Sequence, residues 1–148
     1  IDALMKTVRP DYEFDDEKLR QIDFEQHRVI LLTTHRRENL GEPMRHIYKA
    51  LRSVVQETPD AEIVFPVHRN PLVRQVVNEE LAGVDRIHLI EPLDYEPFAN
   101  LMSRSYLVLT DSGGIGKTGS RFEKYDGTTG SGKSGNRISY RYQCGCRI

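Results

Sequence analysis

Two rhythms of apolar residues alternate along most of this chain. Short, nearly unbroken apolar runs predict buried strands at "RVILLTT" (28–34), "AEIVFPV" (61–67), "RIHLIEP" (86–92) and "YLVLTD" (106–111). Between them lie stretches with helical spacing. "PMRHIYKALRSVVQE" (43–57) sets Met44, Ile47, Leu51, Val54 and Val55 on one stripe, with Pro43 suited to a first turn. "NPLVRQVVNEELAG" (70–83) predicts a helix capped by Asn70, with Pro71 at its first position and Gly83 as its stop. "YEPFANLMSRS" (95–105) predicts another helix, and "DDEKLRQI" (15–22) a short one ahead of the first strand.

Strands alternating with amphipathic helices across short connections predict βαβ units. The fold class is therefore α/β, a Rossmann-like parallel sheet with helices on both faces. Ligands of such sheets lie beyond the carboxyl ends of the strands. That places the informative residues just after each strand: His35, Arg36, Arg37 and Glu38; His68, Arg69 and Asn70; Glu91, Pro92 and Leu93; and Asp111, Ser112, Gly113 and Gly114.

Composition divides the chain in two. Residues 116–148 hold seven Lys/Arg and two Asp/Glu, whereas residues 1–115 carry a net charge of −6 and all seven prolines. An acidic body argues against nucleic acid as a partner, since phosphate neutralisation needs clustered Lys and Arg. No apolar run approaches the roughly 18 residues of a membrane helix, and the first ten residues lack the pattern of a signal peptide. These features predict a cytoplasmic protein. The first residue is not Met, which predicts a beginning inside a longer protein.

The strand-end residues suggest anion chemistry. "DSGG" offers backbone N–H groups with little bulk, either as a plain tight turn or as a phosphate seat at a helix start. "HRRE" offers two guanidinium forks, an imidazole and a carboxylate, either for a ligand or as a solvated loop with an internal Arg–Glu pair. His68 is a second ligand group or a cap for the next helix. Together the four strand ends favour an anionic-ligand cleft. His27, His46 and His88 read as structural or surface residues. "GTTGSGKS" (127–134) fits a phosphate-loop pattern, yet neither a buried strand precedes it nor a helical stripe follows, so no ATP site is expected. Cys144 and Cys146 stand without a nearby His or further Cys, so no metal is expected.

"TTHRRENLGEPM", "VFPVHRNPLVR", "HLIEPLDYEPF" and "LVLTDSGGI", in this order, resemble consecutive motifs of the bacterial non-hydrolysing UDP-N-acetylglucosamine 2-epimerases over residues 1–115. The resemblance implies part of the second, nucleotide-binding domain of a glycosyltransferase-B-type two-domain fold. It implies an isomerase that interconverts UDP-GlcNAc and UDP-ManNAc by elimination and re-addition of UDP, without a cofactor. Intact members are expected to be homodimers of polysaccharide biosynthesis. His35 is implied to be catalytic, and Ser112, Gly113 and Gly114 to contact phosphate. Phe98 is implied to lie by the uracil, and Arg36 and His68 to line the cleft.

Beyond "SGGI" the family's Gln-Glu-Glu helix, with its ribose-binding glutamate, is missing, as are the sugar-side carboxylates of the first domain. One back-translation of "TGSRFEKYDGTTGSGKSGNR", read one base later, gives a family-like "PVLVLRNTTERPEAVKAGT", which predicts a shifted reading frame. The expected organisation is an interdomain lead-in (1–21), a partial nucleotide-binding domain (22–115) and an aberrant tail with little regular structure (116–148), the whole inactive alone. A glycosyltransferase of the same architecture, a hydrolysing epimerase and a non-enzymatic UDP-binding module are the alternatives.

Overall fold

The computed structural model of the chain describes residues 6–34, 40–110, 124–125 and 141–142. His35, Arg36, Ser112, Gly113, Gly114, the "GTTGSGKS" stretch and both cysteines lie outside the described residues, and so does most of the tail.

Four strands form one parallel sheet: β1 (Arg28–Thr33), β2 (Ala61–Pro66), β3 (Ile87–Ile90) and β4 (Leu107–Thr110), in the order β3-β2-β1-β4. A short helix, α1 (Glu17–Arg20), precedes them, and α2 (Glu42–Glu57), α3 (Pro71–Leu81) and α4 (Tyr95–Arg104) make the connections. β5 (Lys124–Tyr125) and β6 (Arg141–Tyr142) pair antiparallel as a second, two-stranded sheet, with β6 beside β4, within the region where the sequence predicted little order.

Alternation along the strands feeds two cores. Ile30, Leu32, Ile63, Phe65 and Ile87 face α2 and α3, while Val29, Leu31, Val64, Ile90 and Val108 face α4, α1 and the lead-in residue Phe14. Both faces are covered, as a parallel sheet requires.

The helix signals act as expected at α3. Asn70 Oδ1 accepts from the Leu72 N–H at 3.0 Å, Pro71 opens the helix, and Gly83 takes a left-handed φ of 73° just past its end. The stripe of α2 differs from expectation. Its buried positions are Met44, Tyr48, Leu51 and Val55, and Val54 is 41% exposed. Spacings of four, three and four keep a single face at 100° per residue, and Val54 falls off it. The Tyr48 phenol is accommodated inside by a 2.8 Å hydrogen bond with Thr34 Oγ1.

Candidate functional site

The four strands run parallel, so their carboxyl ends share one edge of the sheet. β1 and β4 are neighbours in register, with Thr33 opposite Thr110. The Thr33 hydroxyl donates to Thr110 Oγ1 at 2.7 Å, and both residues are buried. Thr34 follows, also buried and bonded to Tyr48. The chain segments that continue into "HRRE" and "DSGG" thus leave the sheet from adjacent strand ends. A buried threonine pair fixes their spacing just before they depart.

His68 lies just past β2, exposed, and its Nδ1 accepts from the Asn70 N–H at 3.2 Å. That bond keeps the ring in the turn. An accepting Nδ1 puts the proton of the neutral imidazole on Nε2, the nitrogen on the other side of the ring. Asn70, not His68, supplies the helix cap.

Phe98 sits in the first half of α4, half-buried, and packs with Leu93 against the core on that face. The first turn of α4 follows directly from the end of β3, so Leu93 and Phe98 form an apolar shelf at the same edge. His68 and Phe98 therefore stand at the ligand edge, on opposite faces of the sheet's rim: one heads α3, the other α4.

A cavity of about 320 Å³ also opens beside the edge strand β3, with Val67, Leu89 and Ile90 in its lining. Its cations are engaged. Arg74 donates to both Glu91 oxygens at 3.0 and 2.7 Å, and Lys18 Nζ donates to the Leu89 carbonyl at 2.7 Å. The Arg74 hydrogen bonds hold the Glu91 carboxyl below its usual range. This cavity is a poor seat for an anion.

The remaining histidines have structural settings. Glu62, buried on β2, is met by His27 Nδ1 on one oxygen and by His88 Nε2 at 2.7 Å on the other. All three lie at the amino-terminal half of the sheet, away from the candidate edge. His46 is exposed on α2. Among the described residues no group of three or more His, Cys, Asp or Glu could hold a metal ion, and no helix is long and apolar enough to cross a membrane.

Two features escaped the sequence reading. The threonine pair shows in the chain only as two strands that each end in Thr. Asn100 of α4 is fully buried and bonded to the lead-in, with no local signal in the sequence.

Comparison with known proteins adds the following. The family model described as UDP-N-acetylglucosamine 2-epimerase matches residues 1–125, ten residues further than the sequence motifs reach. A UDP-N-acetylglucosamine 2-epimerase of Bacillus subtilis is 48% identical over 115 residues, covering 78% of this chain and 29% of that protein. The solved structure of S. aureus MnaA with UDP matches at a TM-score of 0.70 and 45% identity, over 78% of this chain and 31% of that one. The UDP-GlcNAc 2-epimerase of Neisseria meningitidis bound to UDP-GlcNAc matches at 0.64 and 41%, over 68% and 27%. The chain spans about three tenths of the length of the curated relatives it matches.

Proposed function

Because the chain belongs to the UDP-N-acetylglucosamine 2-epimerase family, we propose that residues 22–115 form the nucleotide-binding wall of such an isomerase. In this reading residues 1–21 lead in from a preceding domain and residues 116–148 are an aberrant tail. The whole enzyme eliminates UDP from UDP-GlcNAc: a base takes the C2 proton, the C1–O bond breaks toward UDP, and a C1–C2 double bond forms. Protonation from the other face and return of UDP give UDP-ManNAc.

In this wall His35 and Arg36, after β1, face the diphosphate together with the N–H groups of Ser112, Gly113 and Gly114, after β4. His35 assists departure of the charged leaving group. His68 lines the cleft, and Phe98 with Leu93 carries the uracil. One observation supports the reading above others: the Thr33–Thr110 bond and register start the two anion-binding segments side by side. The relatives whose structures hold UDP and UDP-GlcNAc support the choice of ligand. Intact members act as cytoplasmic homodimers on a free UDP-sugar.

The sugar-side acids of the resemblance are not among these residues. Loss of a general base alone typically lowers the rate about 10²–10⁴-fold, and positioning by the second wall is lost as well. The 148-residue chain is therefore expected to bind UDP weakly and to turn over no UDP-GlcNAc. NMR of the anomeric protons after incubation with UDP-GlcNAc tests turnover, and steady conversion to the epimer would overturn this account. Calorimetry tests the site: UDP binding should weaken in His35→Ala and be indifferent to Lys133→Ala. Tight ATP binding abolished by Lys133→Ala would restore "GTTGSGKS" as the site.

A further inference from the structure

The lead-in is sewn to α4 by side chains of that helix. Asn100, fully buried, accepts the Arg9 N–H on Oδ1 at 2.8 Å, and its Nδ2 donates to the Thr7 carbonyl at 3.3 Å and to the Glu96 carbonyl at 3.0 Å. Arg9 in turn forms an ion pair with Glu96, which lies in the first turn of α4. Further along, Arg104 Nη2 donates to the carbonyls of Pro10 at 3.2 Å and Tyr12 at 2.7 Å, and its guanidinium lies over the Phe14 ring.

The order of these contacts gives a direction. Thr7 meets the middle of α4 at Asn100, the Arg9 side chain reaches back to Glu96 in its first turn, and Tyr12 and Phe14 meet Arg104 in its last turn. The lead-in therefore runs parallel to α4, and the chain enters this domain at the end where α4 begins, beside the turn that carries Leu93 and Phe98. One buried carboxamide joins the entering backbone at Thr7 and Arg9 to the first-turn carbonyl of Glu96, two residues before Phe98.

We propose that Asn100 is a positioning residue that sets the Leu93–Phe98 shelf according to where the incoming chain sits. Displacement of the entering segment shifts the first turn of α4, because an unsatisfied buried amide is costlier than a moved one. Its consequence for nucleotide affinity rests on the placement of uracil at Phe98 given above; the mechanical coupling does not.

Amide hydrogen exchange on the full chain tests the coupling. Asn100→Asp keeps the acceptor for Arg9 but leaves at most one O–H in place of the two amide donors to Thr7 and Glu96, in nearly the same volume. Asn100→Ala removes both. Exchange of the Phe98 amide, which donates to the Asp94 carbonyl at 3.0 Å, should quicken roughly 10-fold or more in either variant, together with residues 7–12, while Ile30, Ile63 and Val64 stay protected. Ser105→Ala removes a buried hydroxyl at the end of the same helix, bonded to the Leu101 carbonyl, and should leave exchange of the Phe98 amide unchanged. Loss of protection confined to residues 7–12, or an equal loss in Ser105→Ala, overturns the proposal. If Asn100→Ala fails to fold, Asn100→Asp and Ser105→Ala decide it. Titration with UDP, followed by amide shifts, separates the two readings. No shift at residues 93–98 in the parent chain refutes the uracil placement and leaves the exchange result to judge the coupling.

Discussion

Arg86 holds a left-handed φ of 63°, a conformation that costs a side-chain-bearing residue energy. Its guanidinium offsets that cost by donating to the carbonyls of Thr58, Pro59 and Ala61 at 2.7, 2.8 and 3.0 Å, and to that of Val55 at the end of α2. One cation thus closes the last turn of α2 and the loop into β2 from the start of β3. Arg86→Ala should destabilise the chain by about 2 kcal/mol, the range for hydrogen bonds made by a charged group; chemical denaturation measures it, and a change near zero would show that water replaces the fork. The Thr33–Thr110 pair invites a double-mutant cycle. Thr33→Val or Thr110→Val alone removes this hydrogen bond and should cost about 1 kcal/mol, whereas the double variant should cost less than the two singles together. Additive losses would mean that the hydroxyls do not depend on one another.

Ion pairs on the surface tie element to element: Arg28 of β1 to Asp60 before β2, Arg45 of α2 to Glu79 and Glu80 of α3, and Arg74 of α3 to Glu91 after β3. The carboxyls of Asp60 and Glu91 lie below their ordinary values of 3.8 and 4.5, chiefly through hydrogen bonds from Arg28 and Arg74. That of Glu79 is lowered first by the Gln75 amide and then by Arg45. A lowered folded value means that the contribution is complete at neutral pH and is lost as the pH falls from the ordinary value through the folded one. The melting temperature should accordingly drop between pH 5 and pH 3, and less steeply in high salt, since exposed pairs are screened. A flat profile would show that the pairs contribute nothing. The elements themselves were legible because the strands are largely apolar and because α2 and α3 open on Pro, with Asn70 ahead of α3 and Gly83 just past it. Tyr48 was overlooked because a phenol reads as half-polar until Thr34 is brought within reach of it. His68 could be picked out by standing just after a strand, and Phe98 only through the family resemblance. Asn100 could not: its partner Arg9 lies 91 residues away, and nothing local distinguishes it from a solvated helix residue. Glu62 was hidden for the same reason, since its flanking imidazoles arrive from two other strands' ends.

At the scale of the whole molecule, the sheet has no hairpin. Each parallel neighbour is reached by a crossover, and the inner strand β1 takes β2 on one side and β4 on the other. A chain stopped at Arg104 lacks β4 and leaves one edge of β1 open, with Ile30 and Leu32 beside it. It should sediment as mixed oligomers and bind a hydrophobic dye more strongly than the full chain; a monomeric product with unchanged dye binding would show that the edge is guarded by other means. The order β3-β2-β1-β4 also has a consequence in time. Thr33 waits for Thr110, 77 residues later in the chain. At a synthesis rate of about 5–20 residues per second, that interval lasts roughly 4–15 s on the ribosome. For those seconds the strand that leads into the histidine–arginine segment exists with half its backbone unclaimed, so the same juxtaposition on which the proposed anion site rests makes this inner strand the last part of the nascent sheet to be sealed.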